Sequence, residues 1–199
     1  MRPSGGGFFD LGEIYILTIS FLFMKYGIVY LVRGDAAEYH QNLVKSAGLK
    51  FGEMKVLDRN VPVHVTLKFN FFIDDIGQVE EVVKKVTMES KPEKIRFGDF
   101  KEFNGIAAVS KNELSEGSLD IQKRLIDGLK AIGVEIHPRD LDYKPHSTLI
   151  LGSTKEKFKL IWKYLNSLEK PIFDLKFDNI TILRKPKDAW EIHKVFEIK

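Results

Sequence analysis

Two short stretches carry the most chemically suggestive pattern in the chain. His64-Val65-Thr66-Leu67-Lys68-Phe69 and His146-Ser147-Thr148-Leu149-Ile150-Leu151 both read His-x-Thr-Leu. The whole chain holds five histidines, so two in one shared context stand out from a random scatter. An extended backbone turns residues two apart to the same face, about 6.5–7 Å from each other along the strand. Each stretch therefore sets an imidazole beside a hydroxyl. Val65, Leu67 and Phe69 in one, and Leu149 and Leu151 in the other, turn to the opposite, core-facing side. Imidazole titrates near neutrality, so one ring can take a proton while a second gives one. Hydroxyls donate hydrogen bonds to phosphoryl oxygens. Two such couples facing each other across a groove would hold one phosphodiester from both sides. One imidazole would activate water and the other would protonate the departing oxygen. Lys68, two residues past Thr66, is expected on the same face as His64, where it would either help neutralise the phosphate or stand as a solvated edge lysine.

Other candidates read as structural. His40, His137 and His193 lack the threonine partner. Tyr143 and Phe71 could stack on a base, but aromatics of this kind are more often core or rim residues. Zinc has a poor donor set here, with no cysteine and no His-x-x-x-His. Neither a metal nor a cofactor is expected.

The elements that must position these couples alternate between strands and helices. Strand-like runs cover 26–32, 63–71, 95–103, 106–110, 146–151, 172–177, 180–184 and 190–198. A helix with the capping box Asp35 to Glu38 is expected to stop at Gly48. A second opens at Asp75, with Val79, Val82, Val83 and Val86 on one face. A third opens at Ser118 and closes near Gly133. A fourth is capped by Ser153-Thr154 and carries a stripe of Phe158, Ile161, Trp162, Leu165 and Leu168. Asn104-Gly105 signals a tight hairpin, as does the turn at Pro186 to Asp188. Strands joined by tight turns pair antiparallel. The pattern predicts an α+β fold with mostly antiparallel sheets and flanking helices. Each His-x-Thr strand is followed by a capped helix, which suggests two lobes related by a pseudo-two-fold axis.

Composition narrows the field. With 199 residues, 44% apolar and 30% charged, the chain has the make-up of a single globular domain. Having no cysteine, it excludes a thiol nucleophile and a disulfide scaffold and suits a reducing cytoplasm. Thirty-one basic against 28 acidic residues give a net charge of +3. Proteins that coat duplex nucleic acid usually show a larger basic excess. The apolar run Ile14 to Met24 falls short of the roughly 20 residues a membrane-spanning helix needs. Asp10 and Glu13 stand where a signal peptide would carry basic residues. The expectation is a functional domain over 24–199, with residues 1–23 as an extension that is not part of the fold.

The doubled motif resembles the signatures of the two-histidine (2H) phosphoesterases. Within them the chain looks most like the bacterial and archaeal 2′-5′ RNA ligase / RNA 2′,3′-cyclic phosphodiesterase branch, over about 24–199. The resemblance implies a bilobal fold with one His-x-Thr from each lobe lining a central cleft. It also implies metal-independent opening of 2′,3′-cyclic phosphates to 2′-phosphates, with a reversible 2′-5′ ligation as a companion activity. By the same resemblance His64 is the general acid on O3′ and His146 the base, labels whose exchange leaves the chemistry of the pair intact, and Thr66 and Thr148 are the phosphate ligands. The implied partners are RNA 3′ ends or small cyclic nucleotides, met by a monomer with no membrane attachment. The branch often carries an arginine soon after the second motif. Here Gly152-Ser153-Thr154-Lys155 stands in that place, which bears on RNA-end specificity. Two alternatives share the fold: a non-catalytic module holding RNA ends or cyclic nucleotides, and an esterase for 2′-5′ oligoadenylate or an ADP-ribose cyclic phosphate.

Overall fold

The computed structural model describes residues 24–103 and 105–199. The 1–23 extension and the Asn104 half of the expected hairpin signal lie outside the described residues. In chain order the elements are β1 (Met24–Leu31), α1 (Gly34–Phe51), α2 (Lys55–Asp58), β2 (His64–Ile73), α3 (Ile76–Met88), β3 (Glu93–Phe103) and β4 (Ala107–Leu114). There follow α4 (Glu116–Ala131), α5 (Pro138–Leu141), β5 (His146–Ile150), α6 (Lys155–Asn166), β6 (Ile172–Phe177), β7 (Asn179–Lys185) and β8 (Glu191–Glu197).

The strands form two four-stranded sheets in the orders β2-β1-β7-β8 and β5-β4-β3-β6. Every pairing is antiparallel, so the fold is α+β as the sequence pattern indicates. Both His-x-Thr strands, β2 and β5, are edge strands, each hydrogen-bonded to a single neighbour within its sheet.

One core is shared by the two sheets. Ile28, Tyr30, Val65 and Ile182 of the first sheet meet Ile95 and Phe97 of the second, with Val79 and Val83 of α3 and Leu125 and Leu129 of α4. A second core lies between α1, α6 and the β5-β4 side of the second sheet, built from Val44, Ala47, Ala108, Ile150, Ile161 and Leu165. At roughly 25 cal/mol per Å² of apolar surface removed from water, these cores supply most of the force holding the edge strands in place.

Helix ends follow local chemistry, with three departures from the expected boundaries: the first helix opens at Gly34 after Arg33, with no side-chain cap, so Asp35 lies in its first turn rather than capping it. Asp75 accepts the Gly77 N–H and Thr154 accepts the Lys157 N–H, as their types suggest. The third helix starts earlier than expected, capped by Ser115. Ser118 sits inside it and bonds the Lys94 carbonyl. The first runs through Gly48 to Gly52, whose φ of 67° ends it in the left-handed region. Gly48 lies inside the helix, and a side chain there would press on Leu57 and the Glu53 carbonyl.

Gly98 forms a bulge in β3 with φ of 145°, and a Cβ there would overlap the Pro171 carbonyl oxygen. Gly98→Ala is therefore expected to cost about 1–3 kcal/mol in a urea melt. No loss would show that the bulge is not tied to Pro171.

Candidate active site

Alternation along β1 sets the geometry. Tyr26, Ile28 and Tyr30 enter the shared core, so Val29 and Leu31 face the other way. Directly opposite partners in an antiparallel pair share a face. Leu31 lies opposite His64 and Val29 opposite Thr66. In the second sheet Lys111 lies opposite His146 and Val109 opposite Thr148. Both couples thus stand on the sheet face turned away from the core. Val29 and Val109, buried but in neither core, flank the two threonines.

Each imidazole is held in the same way. His64 Nδ1 is 2.7 Å from the Pro62 carbonyl oxygen, and His146 Nδ1 is 2.6 Å from the Lys144 carbonyl oxygen. A carbonyl only accepts, so in both rings Nδ1 carries the proton and donates it. Nε2 of each neutral ring is left as a lone-pair acceptor. The bond to the carbonyl two residues back also stops the ring from rotating.

The two motif strands are joined directly. Ser147 Oγ, the x position of the second motif, donates to the His64 carbonyl at 2.6 Å. Burial holds the His64 pKa below the ordinary histidine value, the bond to Pro62 opposes this, and nearby His146 lowers it further. The rings therefore feel each other electrostatically. Protonating one disfavours protonating the other, which suits an acid–base pair. Phe103 lies against His146, with ring centroids 5.5 Å apart.

Lys68 does not stand where strict alternation puts it. The β1–β2 register slips between Ile28/Lys68 and Val29/Thr66, a bulge that inserts a residue into β2. Lys68 is thereby turned opposite Ile28, into the core. Its exposure is 0%, and its Nζ lies 3.0 Å from Asp140 Oδ2 and 2.9 Å from the Phe69 carbonyl oxygen. Already neutralised and enclosed, it is removed from the phosphate ligands.

His40, read as structural from its lone context, lies buried on α1 close to the Ser147 backbone and His64. Its signal in the sequence is its place on the apolar stripe Ala36, Leu43, Val44 and Ala47. Burial pulls its pKa down to about 4, and its Nε2 has no hydrogen-bond partner. The unfolded chain protonates this ring below pH 6.5, while the folded chain refuses the proton until about pH 4. Stability should fall by on the order of 3 kcal/mol across that window. His40→Phe should flatten this part of the dependence in urea melts at pH 7 and pH 4. An unchanged slope would show that His40 titrates normally. His193 instead pairs with Glu80 at 2.7 Å, and His137 caps α5. Phe71 is a core residue.

Among the described residues no cluster of three or more His, Asp or Glu side chains could hold a metal ion. No helix among them is long and apolar enough to cross a membrane.

No curated protein matches the chain significantly. Several solved structures share its fold. A Thermus thermophilus protein aligns with a TM-score of 0.56 at 17% identity, covering 88% of this chain and 98% of its own. Escherichia coli LigT complexed with 3′-AMP aligns with a TM-score of 0.55 at 10% identity, covering 89% and 98%. LigT complexed with NADP+ aligns at 0.58 and 10%, covering 88% and 98%. A family model described as the 2′-5′ RNA ligase superfamily matches residues 44–189, a span that includes both His-x-Thr strands and most of the chain. The chain belongs to the 2′-5′ RNA ligase superfamily.

Proposed function

We propose that the protein is a phosphodiesterase that opens ribonucleotide 2′,3′-cyclic phosphates to 2′-phosphates using His64 and His146. The observation that carries this reading is the matched pair of Nδ1–carbonyl bonds, to Pro62 and Lys144. They leave two oriented Nε2 atoms beside two hydroxyls. Burial lowers the His64 pKa and so favours its neutral, proton-accepting form, which supports assigning it the base. His146 is then assigned the acid, an exchange of the two labels that leaves the chemistry of the pair unchanged.

The reaction proceeds in one displacement. His64 Nε2 takes a proton from water as the water oxygen bonds to phosphorus. The P–O3′ bond breaks, and O3′ takes the proton of His146 Nε2. Thr66 and Thr148 donate to the non-bridging oxygens, whose charge grows in the transition state. The LigT complexes with 3′-AMP and NADP+ support a nucleotide as the bound class.

A panel of nucleoside and oligonucleotide 2′,3′-cyclic phosphates, 2′-5′ oligoadenylate and an ADP-ribose cyclic phosphate, assayed in EDTA, tests the reading. Turnover of the 2′,3′-cyclic phosphates with release of 2′-phosphate is expected. The kcat/KM profile should be bell-shaped. Its acid limb should fall below pH 6.5, because the base must lose its proton there and its pKa is lowered. Turnover of none of the panel, or a flat profile between about pH 5 and 9, would contradict it.

A further inference from the structure

We infer that Lys68, Asp140 and Gln122 are positioning residues that lock the first His-Thr strand to the segment leading into the second, fixing the spacing of the two imidazoles. The inference rests on the proposed acid–base reading and names what holds that pair in register.

The bulge in β2 lies on a sheet edge, where backbone groups lack a strand partner. The network supplies partners from α4 and α5. Asp140 Oδ1 accepts the Phe69 N–H at 2.6 Å. Asp140 Oδ2 accepts the His137 N–H at 2.9 Å and faces Lys68 Nζ. Gln122 Nε2 donates to the Leu67 carbonyl at 3.1 Å and the Asp140 carbonyl at 3.3 Å. Lys68 and Phe69 are thus bound to Asp140 in the segment that feeds His146, and Leu67 is linked to that segment through Gln122 of α4. The Ser147–His64 bond ties the same two segments at the other end.

Stability alone does not account for such a network. A buried ion pair is often no more stabilising than apolar side chains of the same volume. What the pair adds is direction. One carboxylate sets two backbone N–H groups, from different segments, at hydrogen-bond distance from a single group. If that tie is lost, β2 can shift against the turn before β5. A misplacement of about 1 Å can cost on the order of 10²-fold in rate.

The test is the double variant Lys68→Met/Asp140→Leu, which keeps the volume and removes the directional bonds. Its Tm, kcat, KM and the NMR titration of the His64 and His146 rings are compared with the wild type. The expected result is a folded protein with kcat lower by about 10–100-fold, KM changed little, and displaced titrations of both rings. A folded double variant with wild-type kcat and titrations overturns the inference. If the double variant does not fold, Gln122→Met carries the test: a folded protein with reduced kcat and displaced titrations is expected, and wild-type values overturn it. Wild-type protein inactive on every cyclic phosphate would remove the proposed function. The ring titrations would still decide whether the network sets the imidazoles.

Discussion

Alanine at His64 or at His146 is expected to lower kcat for a 2′,3′-cyclic phosphate by about 10²–10⁴-fold, because in the proposed reaction each ring performs an obligatory proton transfer. Fold should be kept, since neither residue belongs to a core cluster. The double variant should be little worse than the poorer single variant, since residues acting as one unit are not additive. Leaving groups separate the roles. On a p-nitrophenyl phosphodiester, whose phenolate departs without a proton, the His146→Ala loss should shrink and the His64→Ala loss should persist. The opposite pattern would exchange the roles of acid and base. Near wild-type rates in either single variant would remove the mechanism.

Asp140→Ala carries the largest expected effect on stability, a loss of about 3–5 kcal/mol in a urea melt. The change leaves the Lys68 ammonium at 0% exposure without its counter-charge. It also strips an acceptor from the Phe69 and His137 N–H groups. Lys68→Met should cost less, because the remaining carboxylate keeps those two donors and loses only the cation. The double replacement by Met and Leu should recover the part due to the unpaired cation, while the Phe69 and His137 N–H groups stay without their acceptor. A cost below about 1 kcal/mol for Asp140→Ala would show that Lys68 reaches water or another partner on its removal.

The placement of the candidate site residues on their strands is legible in the sequence because it is local. Imidazole and hydroxyl two residues apart on a strand need only the period of the pleat, and His64, Thr66, His146 and Thr148 stand on the faces which that period gives. Lys68 was misplaced by the same rule. A bulge breaks the period, and nothing in Leu67-Lys68-Phe69 announces one, because its cause is distant: Asp140 and Gln122 bind the bulged edge. Ser147 shows a related gap. Its hydroxyl looks interchangeable in the motif, yet it ties the two motif strands. Gly48 passed for a helix stop because a glycine signals a left-handed end. Only packing against α2 shows it to be a point of close approach. The element order was readable from capping and alternation. That β7 lies between β1 and β8, and β3 between β4 and β6, depends on long-range pairing that local patterns do not encode.

The proposed convergence of the two couples on one phosphate is tested most directly by a crystal structure of the protein with a ribonucleoside 2′-monophosphate, the proposed product. One phosphate should be found with Nε2 of His64 and Nε2 of His146 each within about 3.2 Å of its oxygens, and with the Thr66 and Thr148 hydroxyls on the same group. A phosphate bound by one couple only, or seated elsewhere on the molecule, would contradict convergence of the two imidazoles on a single phosphorus.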